Sequence, residues 1–326
     1  MLNYKDVKGL MSMVPTCAKE GADDWRLEDS VDYDETARVV EQLIKDGTGC
    51  IFTNGTTGEC ATLLWEEHRK FVGTVLETAK KRVPVFNGST ALGTKDTVRK
   101  LRAIMDMGSN GTLLGVPMWQ PPTAEMALAH YKMVSEAVPS AAIVIYANPR
   151  AFRFEFPPSF FGQIHKQVPN VIASKNSEIA TYLQLLEATN HSVTFFPGYS
   201  GYLPFALLSP EDTRACWSHA IQPYPILALI DAIKRGDIAK AKEIQKDITG
   251  RAIPRPANLP PSVRNDQGTF TLQSEKMTMN AAGYCKAGPI RPPYHAVPQA
   301  IKDAALDRGQ NWKAIAEKYA PAKAPR

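Results

Sequence analysis

The chain is poor in the residues and patterns that mark several common chemistries. Its five cysteines (Cys17, Cys50, Cys60, Cys216 and Cys285) are widely spaced, odd in number and never in a CxxC pair. That favours reduced thiols and a cytoplasmic location over a disulfide framework. The six histidines form no HExxH or other ligand pair, so no metal site is expected. No GxGxxG or GxxxxGK loop occurs, and no cofactor is expected. The net charge of +5 comes from 38 basic and 33 acidic residues scattered along the chain, which is no nucleic-acid footprint. The longest basic run, Lys80-Lys81-Arg82, ends an amphipathic segment and suits the negative end of a helix dipole. No stretch is apolar enough to cross a bilayer, and MLNYKDVKGL lacks the layout of a signal peptide. Neither a nucleic-acid nor a membrane partner is expected.

What is present is a rhythm. Short β-rich runs recur at Leu10–Pro15, Cys50–Thr53, Pro84–Gly88, Thr112–Val116, Ala142–Tyr146, Val171–Lys175, Val193–Pro197 and Ala215–Ser218. Amphipathic segments such as DETARVVEQLIKDG lie between most of them, with Ala37, Val40, Leu43 and Ile44 at helical spacing and Gly47 ending the pattern. The runs mostly start about one βα unit, roughly 30 residues, apart. Eight such units predict an α/β fold, a (β/α)8 TIM barrel, for which about 250 residues is usual. An open doubly wound sheet competes, but it usually carries a glycine-rich loop after its first strand, and VPTCAKEGADDW stands there instead. The barrel core is expected over residues 1–224. Residues 225–326 then hold the last barrel helix and a C-terminal helical extension, joined by a proline-rich connection over 252–268. The last six or so residues are expected to be disordered.

In barrels the chemistry sits at the C-terminal ends of the strands. Those ends read TNGTTGE after the second run, GVPMW after the fourth, IYANP after the fifth and VIASK at the sixth. FFPGYSG follows at the seventh, and Trp217 lies in the eighth. An ammonium group ending a buried strand is costly to desolvate unless it is paired or loses its proton. Lys175 is therefore either a strand end reaching for water or an amine held neutral, as imine formation with a ketone requires.

GTTGE, a tyrosine closely followed by Asn-Pro, and a lysine followed by Asn-Ser, in that order, resemble the pyruvate-dependent class I aldolase superfamily. That superfamily includes N-acetylneuraminate lyase and dihydrodipicolinate synthase, and the likeness runs over about Val7–Ile248. WRLEDSVDYDETARVVEQLI, GTLLGVPMW, IYANPRAFRFEFP and AAGYCKAGPIRPPY resemble more closely the hydratase-aldolases of bacterial aromatic-hydrocarbon breakdown, over nearly the whole chain. The resemblance implies that Lys175 forms the Schiff base and that Tyr146 shuttles protons. It implies that Thr56 and Thr57, with Gly58, bind the substrate carboxylate, and that Asn280 reaches the substrate's ortho substituent; Trp217 and Trp119, by their strand-end positions, and Phe152 are expected walls for an aromatic ring. Glu59 reads as an anchor of its loop or of a subunit contact. A homotetramer is the family expectation.

Two departures from dihydrodipicolinate synthase bear on the substrate. Met118-Trp119 stands where that enzyme has a tyrosine pair, and Ala151 stands where it has an arginine. Both changes remove polar handles and favour a flat, hydrophobic substrate. The expected activity is hydration and retro-aldol cleavage of an arylidene pyruvate to an aromatic aldehyde and pyruvate. A sugar-acid aldolase or dehydratase of the same superfamily is the alternative, and a keto-acid sensor without turnover is a third reading. Whether the ring carries an ortho hydroxyl or an ortho carboxylate stays open, with Arg150 or Arg153 as candidates for meeting a carboxylate.

Overall fold

In a computed structural model, which describes residues 1–175, 177–250 and 270–321, eight parallel strands form one sheet. They are β1 (Gly9–Met13), β2 (Cys50–Thr53), β3 (Val85–Asn87), β4 (Gly111–Leu114), β5 (Ala142–Tyr146), β6 (Val171–Lys175), β7 (Thr194–Phe196) and β8 (Ala215–His219). Their order is β7-β6-β5-β4-β3-β2-β1-β8. A parallel bridge from Gly198 to Trp217, with the Trp217 N–H donating to the Pro197 carbonyl at 3.0 Å, joins β7 to β8 and closes the barrel. The protein is thus a (β/α)8 TIM barrel with C-terminal helices. Nearly every strand residue is buried, because parallel strands in a barrel are covered on both faces. That is why the runs read as continuous apolar stretches rather than as alternating ones.

The helices form where the periodicity predicts them. Tyr33–Lys45 starts at Asp32, whose carboxylate accepts from the Glu35 N–H at 2.9 Å and satisfies one free donor of the first turn. Val39, Val40 and Leu43 form its buried face. After β8, helices span Tyr224–Lys234 and Ile238–Thr249, the second capped by Asp237, whose carboxylate accepts from the Lys240 N–H at 3.0 Å. The proline-rich connection over 252–268 and the terminal residues 322–326 lie outside the described residues. Beyond the connection, helices Thr271–Ala282 and Gln299–Tyr319 pack against each other. Trp312 fastens the second of them to the barrel through its indole N–H, which donates to the Gln222 carbonyl at 3.1 Å. No helix among the described residues is long and apolar enough to cross a membrane.

The loop after β2 is bound to the C-terminal helices by a buried charge cluster. Glu59 Oε2 accepts from Lys276 Nζ at 2.6 Å and from the Arg291 guanidinium, and all three side chains are almost wholly out of water. Glu59 Oε1 accepts from the Arg291 backbone N–H at 2.8 Å. Arg291 also donates to Ser30 Oγ at 2.6 Å and to the Thr16 carbonyl at 3.1 Å, while Lys276 reaches the Pro289 carbonyl at 2.8 Å. Each charge therefore has several partners, the condition under which a buried ion cluster is tolerated. The loop needs this hold, because Asn54 and Glu59 sit at φ 53° and 51°, a left-handed conformation costing about 1–2 kcal/mol per non-glycine residue. Between them Gly58 lies so close to the Asn54 backbone that a Cβ would stand 2.6 Å from its nitrogen.

Glu59→Gln should leave Lys276 and Arg291 facing each other without a counter-charge, at a cost of about 3–5 kcal/mol in stability. Urea denaturation measures this, and a loss below ~1 kcal/mol would show that the cluster is not what holds the two parts together.

Candidate active site

A cavity of about 940 Å³ opens at the C-terminal ends of the strands. Its wall takes Thr56, Thr57 and Gly58 from the loop after β2, Leu113 and Met118 from β4 and its loop, and Tyr146 and Asn148 from the end of β5. Lys175 ends β6, and Trp217 and His219 come from β8. The N-terminal turn of helix Thr271–Ala282, from Leu272 to Glu275, closes the far side with Pro293 and Tyr294.

Lys175 is the centre of this wall. Backbone register pairs it with Tyr146 on β5 and with Phe196 on β7, so its position follows from the barrel and not from a loop. Its side chain is 4% exposed, and its amine lies 3.7 Å from the centre of the Trp217 ring and 4.6 Å from that of Tyr146. Loss of hydration pulls its pKa down to about 7, and the Glu275 carboxylate opposes that pull. A large neutral fraction at neutral pH follows. Such an amine is a nucleophile toward carbonyl carbon.

The Tyr146 hydroxyl is held at two points. It lies 3.1 Å from the Thr56 hydroxyl, and the Asn148 side-chain amide donates to it at 3.0 Å. Burial pushes its pKa up, so the phenol stays protonated and can donate. Beneath it, Phe152 packs edge-on at 5.5 Å. The Phe152 ring fills the space over Gly115, where a Cβ would stand 2.0 Å from the ring edge.

The structure brings Lys175, Tyr146, Thr56, Thr57, Gly58 and Trp217 together around the cavity. It places three other expected residues elsewhere. Phe152 is buried behind Tyr146 and supports that ring rather than the cavity wall. Trp119 is 76% exposed and does not line the cavity, whereas its neighbour Met118 does. Asn280 lies in the last turn of its helix, where its side chain bridges the Gly288 N–H and carbonyl at 3.1 Å each. The part of this helix that lines the cavity ends at Glu275, more than a turn before Asn280. Arg153 is committed to the carbonyls of Met118 and Trp119 at 2.6 and 2.8 Å. Asn148, His219 and Glu275 join the site without a sequence expectation. Asn148 was within reach, since it stands in the IYANP motif two residues from Tyr146.

The depressed pKa of Lys175 has a consequence for stability. Between about 7 and the ordinary 10.5 the unfolded chain holds a proton that the folded chain lacks, so stability rises with pH across that window. Below it the full penalty applies. Lys175→Met should therefore be more stable than wild type at pH 7 by on the order of a few kcal/mol, with the gap narrowing toward pH 10. Denaturation midpoints at the two pH values measure it, and an equal or lower midpoint at pH 7 would contradict it.

Comparison with known proteins gives the chain its family. The model of the dihydrodipicolinate synthetase family matches residues 25–252. The trans-O-hydroxybenzylidenepyruvate hydratase-aldolase of Pseudomonas putida is 42% identical, covering 98% of this chain and 96% of its own. The trans-2'-carboxybenzalpyruvate hydratase-aldolase of Nocardioides sp. strain KP7 is 34% identical, covering 96% and 95%. A solved structure of PhdJ bound to a substrate intermediate is 32% identical with a TM-score of 0.91, covering 98% of this chain and 99% of that one. With a family match over more than half its length and full-length relatives above 30% identity, the chain belongs to the dihydrodipicolinate synthetase family.

Proposed function

We propose that this protein is a Schiff-base-forming hydratase-aldolase that hydrates a benzylidenepyruvate and cleaves it to an aromatic aldehyde and pyruvate. The observation that carries the reading is the Lys175 amine, buried between the Tyr146 and Trp217 rings with a pKa of about 7. The naming of its full-length relatives supports the substrate class.

The substrate carboxylate is received by Thr56 and Thr57, with Gly58 letting the backbone approach closely. Neutral Lys175 attacks the ketone carbon C2. Tyr146, oriented by Thr56 and Asn148, gives the proton with which the carbinolamine loses water. The resulting iminium is conjugated with the C3–C4 double bond, so C4, the benzylic carbon, becomes electrophilic and water adds there. Protonation at C3 restores the iminium. Cleavage of C3–C4 then sends an electron pair into the iminium, releases the aldehyde and leaves a pyruvate enamine. Protonation of that enamine and hydrolysis free pyruvate and the amine.

The wall suits an aromatic ring. Phe52, Leu113, Met118 and Trp217 supply apolar surface, whereas a polyhydroxylated keto acid needs many hydrogen-bonding partners. A neutral ortho hydroxyl fits better than an ortho carboxylate. Glu155, Glu178 and Glu275 all line the cavity, and a second anion would meet their charge with Arg150 as the one arginine of the wall among the described residues. The relatives at 41–42% identity carry the o-hydroxy name and the one at 34% the carboxy name.

Borohydride reduction in the presence of pyruvate, read by intact mass and peptide mapping, should place one adduct on Lys175. Below pH 7 the rate of imine formation at low pyruvate should rise about tenfold per pH unit, then level off as the amine becomes fully neutral. Trans-o-hydroxybenzylidenepyruvate should be consumed, and a polyhydroxylated keto acid should not. No adduct on Lys175 would falsify the reading; an adduct without turnover of any aldol would leave a keto-acid sensor. A homotetramer belongs to this reading, and sedimentation equilibrium is its check.

A further inference from the structure

We propose that Glu275 is a second catalytic residue of this site, the base that moves protons at C3 and at the C4 oxygen, with His219 as its positioning residue. The inference rests on the benzylidenepyruvate reading above.

The reaction needs acid–base work at two places. At C2 the work falls to Tyr146, whose hydroxyl is already fixed between Thr56 and Asn148. At C4, two bonds further along the substrate, water must be deprotonated during hydration and the hydroxyl during cleavage. A second group is required on the other flank of Lys175. Tyr146 comes from β5, next to β6, and the opposite flank is made by β8, whose Trp217 ring carries the amine at 3.7 Å. His219 follows two residues later, on the same face of the strand, with its ring edge-on to Trp217 at 5.3 Å. Its Nε2 lies 3.2 Å from Glu275 Oε2.

Four carboxylates line the cavity among the described residues: Glu59, Glu155, Glu178 and Glu275. Glu59 is consumed by Lys276 and Arg291, and Glu155 and Glu178 are exposed at the rim. Glu275 is half-buried, in the first turns of the helix that closes the cavity, and its charge is felt by Lys175. The geometry also assigns the histidine tautomer. A carboxylate cannot donate, so the proton is on Nε2. Nδ1 is buried with no partner among the described residues, which a bare lone pair tolerates better than an N–H. Burial lowers the pKa of His219 and keeps the ring neutral, against the Glu275 charge and in line with those of Lys175 and Arg308. Tyr199, packed nearby, also feels Glu275 and Arg308 and stays protonated. The carboxylate is thus aimed by a neutral N–H donor, and among the described residues no lysine or arginine forms a tight pair with it.

The proton count closes on this one group. Water bonds to C4, the C3–C4 π pair shifts to C2–C3 and the iminium pair moves onto nitrogen, while Glu275 takes the water proton. The Glu275 carboxyl returns that proton to C3, which re-forms the iminium and the free carboxylate. In cleavage Glu275 takes the C4 hydroxyl proton as the C3–C4 pair moves toward the iminium. It then delivers that proton to C3 of the enamine, making the methyl group of pyruvate.

The test uses the full chain with trans-o-hydroxybenzylidenepyruvate and, separately, pyruvate plus borohydride. Glu275→Gln should lower turnover by about a hundredfold or more, while trapping of pyruvate on Lys175 is undiminished. His219→Ala should lower kcat with little change in KM, and His219→Gln, which keeps an N–H toward Glu275, should recover most of it. Glu275→Gln turnover within about threefold of wild type would overturn the inference, since positioned acid–base help is worth far more. Loss of trapping together with turnover would also overturn it, because Glu275 would then serve Lys175 or the fold. If wild type traps pyruvate but consumes no benzylidenepyruvate, the functional reading itself fails and this inference with it.

Discussion

The buried Glu59 carboxylate is the point on which the rest of the site leans. It ends the loop that carries Thr56, Thr57 and Gly58, and through Lys276 and Arg291 it draws the C-terminal helices onto that loop. The same helices bring Leu272 to Glu275, Pro293 and Tyr294 over the barrel mouth. Lys175 lies buried in that mouth, and desolvation is the largest cause of its lowered pKa. One ion cluster thereby joins the loop that carries Thr56 and Thr57 to the helices that line the mouth above Lys175. A buried cluster of this kind adds little net stability compared with an apolar core. Its value here is geometric.

The amine itself is a cost accepted by the fold. Eight buried strands and closure of the sheet between Gly198 and Trp217 supply the stability against which an ill-solvated lysine can be kept. The aromatic rings on either side of it act in two ways. They exclude water, which favours the neutral form, and their faces attract whatever positive charge develops, which suits the iminium of the proposed reaction. Two side chains hold the Tyr146 hydroxyl and Phe152 holds its ring, which fixes the phenol as the proton donor of the proposed reaction.

Much of this was legible in the chain, and the failures have a common cause. Cys50–Thr53, Ala142–Tyr146 and Val171–Lys175 are strands with the bounds their sequence suggests, because a buried parallel strand is a local apolar run ended by polar residues. Lys175, Tyr146 and Thr56 to Gly58 could be placed because a strand end in a barrel necessarily faces the mouth. Phe152 and Asn280 stand in helices and Trp119 in a loop, where position in the chain does not decide direction. Their side chains turned to Gly115, to Gly288 and to solvent respectively. β8 runs one residue further than its apolar pattern suggests, and that residue is His219.

The sequence by itself determined the barrel, the strand ends and the lysine that terminates β6, since each depends on short-range pattern and on a topology with few alternatives. Tertiary structure alone decided what surrounds that lysine. Glu59 meets Lys276 across 217 positions of chain and Arg291 across 232, and His219 meets Glu275 across the mouth. Which charges neutralise one another at such separations depends on how the C-terminal helices dock. Docking is settled by packing and by the satisfaction of buried polar groups, neither of which leaves a periodic trace in the chain.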